Sequence, residues 1–131
     1  MALRSERTYT ITTDAPVSVV WPLVAAPGRW HRWAPHVRGA WGLGDPEVRE
    51  GARGAARLLG AVPVPARVVA VDPGRSWTWQ VGPVRLVHTV ESVDDGSRVS
   101  FGLSGPAPVV QLYGPVVHAL LRNLGRVAER G

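Results

Sequence analysis

Residues Arg98 to Val127, RVSFGLSGPAPVVQLYGPVVHALLRNLGRV, decide how this chain folds. Arg98 to Leu103 is the last of several short alternating runs, and alternation with a period of two is the mark of a strand with one buried face. After Gly105-Pro106-Ala107-Pro108 the apolar spacing becomes helical, with Val109, Tyr113, Val116, Leu120, Leu124 and Val127 on one stripe. Arg122, Arg126 and Arg130 crowd the last turns, where cations suit the helix dipole. The period predicts a helix over about 108 to 128, and its apolar stripe needs a partner.

That partner lies upstream. Val37 to Trp41, Ala52 to Leu59, Val64 to Val71, Ser76 to Val81, Arg85 to Val93 and Arg98 to Leu103 read as strands of an antiparallel meander. They are divided by Gly44-Asp45-Pro46, Gly60, Asp72-Pro73-Gly74, Gly82-Pro83 and Asp94-Asp95-Gly96, turn chemistry that supplies left-handed or fixed backbone angles. At the start, Thr8 to Thr12 alternates as a strand with Tyr9 and Ile11 on one face. Asp14 is placed to cap a helix carrying Pro16 in its first turn and Val17, Val20, Trp21 and Val24 on one side, with Pro22 bending or shortening it. Pro27-Gly28 breaks the chain, and a second short helix runs to Pro35. The layout is α+β: one strand, two short helices, six strands and one long helix.

The 131 residues suit one domain, spanning 1–131, that buries roughly two thirds of its unfolded surface. Without cysteine there are no disulfides, thiolate metal sites or cysteine nucleophiles. All 15 basic residues are arginine, set against 10 acidic ones for a net charge of +5. The absence of lysine excludes a Walker A loop and a Schiff base, which both need a primary amine. The arginines are scattered from Arg4 to Arg130, a pattern that predicts no specific nucleic-acid partner. No apolar run reaches the roughly 20 residues of a membrane span, and the first seven residues lack the apolar centre of a signal peptide. The sequence therefore reads as that of a soluble, cytoplasmic protein.

Strand faces follow from charge. In Arg85-Leu86-Val87-His88-Thr89-Val90-Glu91 the arginine and glutamate share one parity, so Leu86, His88 and Val90 turn inward. A buried His88 is either a core histidine satisfied by a backbone partner or the polar anchor or proton donor of a cavity. Trp77 and Trp79 project from one face of their strand, and with Tyr9, Trp33, Trp41 and Tyr113 they either fill a core or line a cavity. Val90, Val116 and Leu120 complete the candidate ligand-binding wall. The stretch Arg29 to Val37, RWHRWAPHV, holds the neighbouring histidines His31 and His36, but they stand five apart with no carboxylate or cysteine near, so no metal site is expected. Glu47, Glu50, Asp94 and Asp95 read as solvated loop carboxylates. Gly39 to Gly44 leads into Asp45-Pro46 and not a helix, which excludes a dinucleotide fingerprint, and no cofactor is expected.

Ala15-Pro16-x-x-x-Val20-Trp21, Trp30-x-x-Trp33-x-Pro35, Gly51-Ala52-Arg53, Pro73 ahead of Trp77-x-Trp79, and His88 to Glu91 leading into Asp95-Gly96-Ser97-Arg98 occur in this order. Together they resemble the polyketide cyclase/dehydrase and lipid-transport group of the START/Bet v 1-like (SRPBCC) superfamily, over nearly the whole chain. The resemblance implies a helix-grip fold, a seven-stranded antiparallel sheet wrapped around a long C-terminal helix with a hydrophobic cavity between them. It also implies that the two short helices plug one end of the sheet, with Trp33 turned toward the cavity and His31 and His36 outside, more brace than site. The chain departs from the family in having Ala25-Ala26 where an acidic residue is common, and in Pro22. The leading expectation is binding of a small hydrophobic molecule, aromatic, polyketide-like or isoprenoid-like, with polar contacts from His88 and Tyr113 or Tyr9. The alternatives are a polyketide cyclase or dehydratase using His88 as the catalytic proton-transfer group, and a protein that binds a partner or RNA through its basic surface. A second polar group within reach of His88 would separate the first two.

Overall fold

The alternating runs pair antiparallel throughout. The computed structural model describes residues 3–35, 37–58 and 63–130. The chain runs β1 (Arg4–Thr13), α1 (Val17–Ala25), a 3-10 helix (Pro27–Arg32), β2 (Val37–Trp41), β3 (Arg53–Leu58), β4 (Pro63–Asp72), β5 (Ser76–Val81), β6 (Val84–Val93), β7 (Gly96–Pro106) and α2 (Ala107–Glu129). The seven strands form one sheet in the order β1-β7-β6-β5-β4-β3-β2. The two short helices carry the chain from one edge of the sheet to the other, and α2 lies against β1 and β7. This is the helix-grip arrangement. The expectations for Leu59, the Gly60 turn and His36 fall outside the described residues.

Several boundaries differ from the sequence expectation for local reasons. β7 continues past Leu103 to Pro106 because β1 pairs with it from Thr13↔Ser97 to Arg4↔Pro106, a partner that Ser104-Gly105 does not advertise. The second short helix stops at Arg32, not Pro35, as a single tight stretch. α1 is capped by Pro16, whose carbonyl accepts from the Val19 and Val20 amides, and not by the Asp14 side chain. Pro22 lies inside α1, which ends three residues later at Ala25.

The apolar stripe of α2 is displaced by one residue as far as Leu121, while Leu124 and Val127 are buried as their spacing predicts. Val110, Gly114, Val117, Leu121, Leu124 and Ala128 are buried, while Val109 is exposed and Tyr113, Val116 and Leu120 are half-buried. A Cβ at Gly114 would overlap the Tyr9 hydroxyl, and one at Gly125 would stand 2.9 Å from Ile11 Cδ1. The helix thus meets β1 along a face that includes two glycines, which a count of apolar side chains passes over. Its flank, carrying Tyr113 and Leu120, is what faces the interior space.

Candidate functional site

The site is organised by the end of α1. A helix leaves its last carbonyls without intrahelical donors, and buried ones must find partners elsewhere. Here the Pro22 carbonyl accepts from the Ala26 amide at 3.0 Å and the Ala25 carbonyl from the Val48 amide at 2.9 Å. The Leu23 carbonyl accepts from Trp33 Nε1 at 2.8 Å. The Val24 carbonyl accepts from Trp30 Nε1 at 2.9 Å and from Trp77 Nε1 at 3.1 Å. Each indole spends its only donor on α1, which leaves its apolar body to pack inward. The tryptophan-rich segment is a brace, and its rings are also a wall.

Those rings form a continuous aromatic block. Trp30 stacks on Trp77 with centroids 5.6 Å apart and planes 4° from parallel, and Trp77 stacks on His88 at 3.9 Å and 11°. Trp79 meets Trp30 and Trp77 edge-on at 5.1 and 5.4 Å. Phe101 stands edge-on to His88 at 4.9 Å. Strand register explains the alignment: Trp77, His88 and Phe101 are direct cross-strand partners over β5, β6 and β7, with Tyr9 next in the row on β1.

The block leaves little empty room. A cavity of about 40 Å3 is lined by Trp30, Trp33, Ala34, Trp77, Trp79, Leu86, His88, Phe101, Tyr113, Val117 and Leu120. A water occupies about 30 Å3 of liquid, so this cavity as it stands holds a water or the tip of a ligand. A wider apolar pocket of about 180 Å3 lies beside it, lined by Val64, Val81, Pro83, Val84, Leu103 and Val109 together with Trp79, Leu86 and Tyr113. The last three side chains belong to both spaces and separate them.

His88 is the only buried ionisable side chain among the described residues. Burial pushes its imidazole down to about 3, against a smaller upward pull from the bond to the Trp77 carbonyl. It is therefore neutral near pH 7. Its Nδ1 lies 3.0 Å from the Trp77 oxygen, which can only accept, so the proton sits on Nδ1 and Nε2 keeps its lone pair. Burial also pushes the Tyr113 phenol up to about 12, so it too stays neutral.

Of the residues expected at the site, the structure places Trp33, Trp77, Trp79, His88, Tyr113 and Leu120 on the cavity wall. Tyr9 is half-buried beside α2, stacked on His118 at 5.1 Å, and does not reach the cavity. Val90 is buried off the wall, and Val116 yields its place to Val117 because of the displaced helix face. Trp41 is a correction: it is 48% exposed on the outer side of the sheet, with the Arg57 guanidinium 5.5 Å over its ring. A register irregularity between Val37 and Gly39 sets the parity of β2, and alternation alone does not reveal it. Trp30 and Phe101 were missed as wall residues. Register opposite His88 was the available signal for Phe101, whereas none marked Trp30. His31 is exposed, as the resemblance implied. Among the described residues no three His, Asp or Glu side chains converge as metal ligands do.

A sheet closed over a helix, with an indole-walled space and one neutral histidine, describes a protein class that encloses small molecules. The chain belongs to the polyketide cyclase/dehydrase and lipid transport family, whose sequence model matches residues 5–129. Among solved structures it is similar to the Bacillus halodurans protein BH1534, at 15% identity over 98% of this chain and 100% of that one, with a TM-score of 0.79. It is also similar to Ara h 8.0201, at 11% identity over 98% and 100% of the two chains with a TM-score of 0.77. The polyketide cyclase-like protein Cgl2372 of Corynebacterium glutamicum shares 18% identity over 98% and 94%, with a TM-score of 0.70. At these identities the likeness speaks for the fold. No curated protein matches the sequence. No described helix is long and apolar enough to cross a membrane.

Proposed function

We propose that this protein binds a small, flat, largely apolar molecule, aromatic, polyketide-like or isoprenoid-like, between the sheet and α2. The observation that carries this reading is His88, a neutral buried imidazole on the wall of a cavity lined mainly by aromatic and aliphatic side chains. With Nδ1–H committed to the Trp77 carbonyl, His88 offers an acceptor, so the matching ligand group is a donor such as a phenolic or enolic hydroxyl. The ligand's hydroxyl-bearing tip enters the deep cavity and its body lies in the wider pocket, after Trp79, Leu86 and Tyr113 give way. Trp33, Trp77 and Trp79 supply the apolar faces. The family supports hydrophobic ligand binding in general.

The cyclase or dehydratase reading has one observation in its favour, since Tyr113 brings a second polar group to the cavity that holds His88. The electrostatics favour binding. A histidine held near 3 is a weak base at neutral pH, and a phenol raised to about 12 is a weak acid, so neither is tuned for proton transfer. The whole chain, 1–131, acts in this reading as one cytoplasmic domain with a small molecule as partner, no cofactor and no specific nucleic acid.

The test is calorimetric titration of 2-naphthol and naphthalene, which differ by the hydroxyl alone. Naphthol binds tighter by about tenfold, the worth of one buried hydrogen bond, and His88→Ala removes that difference while leaving naphthalene affinity in place. Equal affinity for the two compounds, or a preference that survives His88→Ala, would defeat the assignment.

A further inference from the structure

Arginines that are scattered along the sequence meet on the outer face of the sheet. Arg53 on β3 pairs with Arg67 on β4, Arg67 with Gln80 on β5, and Gln80 with Arg85 on β6. The row continues through Ser104 on β7 to Glu6 on β1, where Arg4 stands two residues away. Arg53, Arg67 and Arg85 are exposed, and like charges placed directly opposite across a ladder repel. Among the described residues none of the three meets a carboxylate, and the one ion pair is Arg98 with Glu91. Arg85 donates from Nε to Gln80 Oε1 at 3.3 Å, a neutral contact. Such a row is costly alone and is relieved by an external anion.

The row has a second property. Residues paired across strands lie side by side along the ladder, so these cations form one continuous row across the sheet. Gln80 is two residues, about 7 Å, behind the β5–β6 turn at Gly82. Beyond the row β3 and β4 run on as a paired hairpin to Arg57↔Pro63, whereas at β5, β6, β1 and the start of α2 the end is apolar. Leu112 is 82% exposed, Leu3 75% and Val109 36%, and Pro83 is exposed in the turn. These residues share one end of the fold: the Leu3 carbonyl accepts from the Ala107 amide at the start of α2, Val109 and Pro83 share the rim of the wide pocket, and Leu112 follows Val109 by about one helical turn. Interfacial segments bury their apolar groups about 5–10 Å into the boundary between headgroups and acyl chains, which matches an apolar tip with cations one short step behind it. A nucleic acid would use the arginines and leave the apolar tip unexplained.

We propose that this end of the protein docks on a membrane surface carrying anionic phospholipids, with Leu3, Pro83, Val109 and Leu112 at the acyl boundary and Arg53, Arg67 and Arg85 on headgroup phosphates. The proposal does not depend on what the pocket holds. It is tested by cosedimentation of the whole chain, without added ligand, with vesicles of mixed phosphatidylglycerol and phosphatidylcholine, and with phosphatidylcholine alone. The protein partitions onto the anionic vesicles at low salt and leaves them as salt rises. R53Q/R67Q/R85Q lowers the partition coefficient about 100-fold, roughly fivefold for each cation, with an unchanged melting temperature. L112D lowers it about tenfold. Should the triple variant fail to fold, R53Q and R85Q singly are each expected to cost about fivefold. Absence of binding, equal binding to uncharged vesicles, or indifference to the arginine substitutions would overturn the proposal. So would a single-stranded oligonucleotide that binds through the same arginines while L112D changes nothing.

Discussion

Where α2 ends, its side chains are tied to the rest of the molecule. Asn123 Nδ2 donates to the Trp33 carbonyl at 2.8 Å, Glu129 accepts from Thr13 Oγ1 at 3.1 Å, and Leu124, Val127 and Ala128 are buried. Next to it the carbonyls at the end of α1 are bonded by two amides and three indoles. Where α2 begins, near Ala107, the conditions reverse. Val109 and Leu112 face out, Pro115 removes one backbone donor inside the helix, and the wide pocket opens beneath Val109 and Tyr113. The difference divides one helix into a fixed half and a loose half. Local opening starts where side chains are exposed and a backbone bond is missing, so under the proposed function the loose half is the expected point of ligand entry.

The largest effect that tests this division is at Trp77. Trp77→Ala removes a buried ring that stacks on both Trp30 and His88, and large-to-small aromatic changes in a core cost about 3–5 kcal/mol. The Val24 carbonyl keeps Trp30 as donor, so the loss is chiefly a cavity. Leu112→Ala in the loose half changes stability by no more than about 0.5 kcal/mol, because the side chain is exposed. Urea unfolding of both variants decides the matter, and comparable losses would erase the distinction.

A second effect separates His88 from the loose half by pH. The folded protein keeps His88 neutral down to about 3, whereas the unfolded chain takes up a proton near 6.5. Between those values the unfolded state binds one more proton, so stability is full above about 6.5 and falls as pH drops, by about 1.4 kcal/mol per unit. His88→Gln removes that slope. Urea midpoints measured from pH 7 down to 5 give the slope directly, and a flat wild-type profile would mean that water reaches the imidazole.

Most of the fold was legible because two periods and their turn residues leave direct marks on the chain. The Asp94-Asp95 turn shows why: Asp94 adopts φ 39°, in the left-handed region that aspartate tolerates, and Val93 pairs with Gly96 around it. His88 was legible because Arg85 and Glu91 fix the outer face of β6. The missed features depend on relations between elements. The buried face of α2 includes Gly114 and Gly125, which meet Tyr9 and Ile11 through close approach, and hydrophobicity does not record this. The part Trp30 plays depends on a carbonyl of another helix, and the arginine row exists only once register is known. The cavity's small volume follows from three indoles packing against one another and from Trp33 packing on Phe101, a matter of side-chain geometry that spacing leaves undetermined.

The smallest effect concerns Pro115. Proline lacks the amide that would bond the Gln111 carbonyl one turn earlier, so the loose half of α2 misses a rung of its ladder. Pro115→Ala restores that donor, a gain of about 0.5–1.5 kcal/mol for an ordinary intramolecular hydrogen bond. The same change frees the unfolded backbone, a loss of about 0.4–1 kcal/mol. The two terms nearly cancel, so global stability moves by less than about 1 kcal/mol. Local behaviour does not cancel, because only the folded helix carries the new bond. Amide hydrogen exchange at residues 110–118 should slow by several-fold in the variant, while exchange at 121–128 stays unchanged. If ligand enters by opening of this half, association of 2-naphthol slows in step with exchange. Slower exchange with an unaltered association rate would place the opening elsewhere, and uniform slowing along α2 would show that the helix moves as one body.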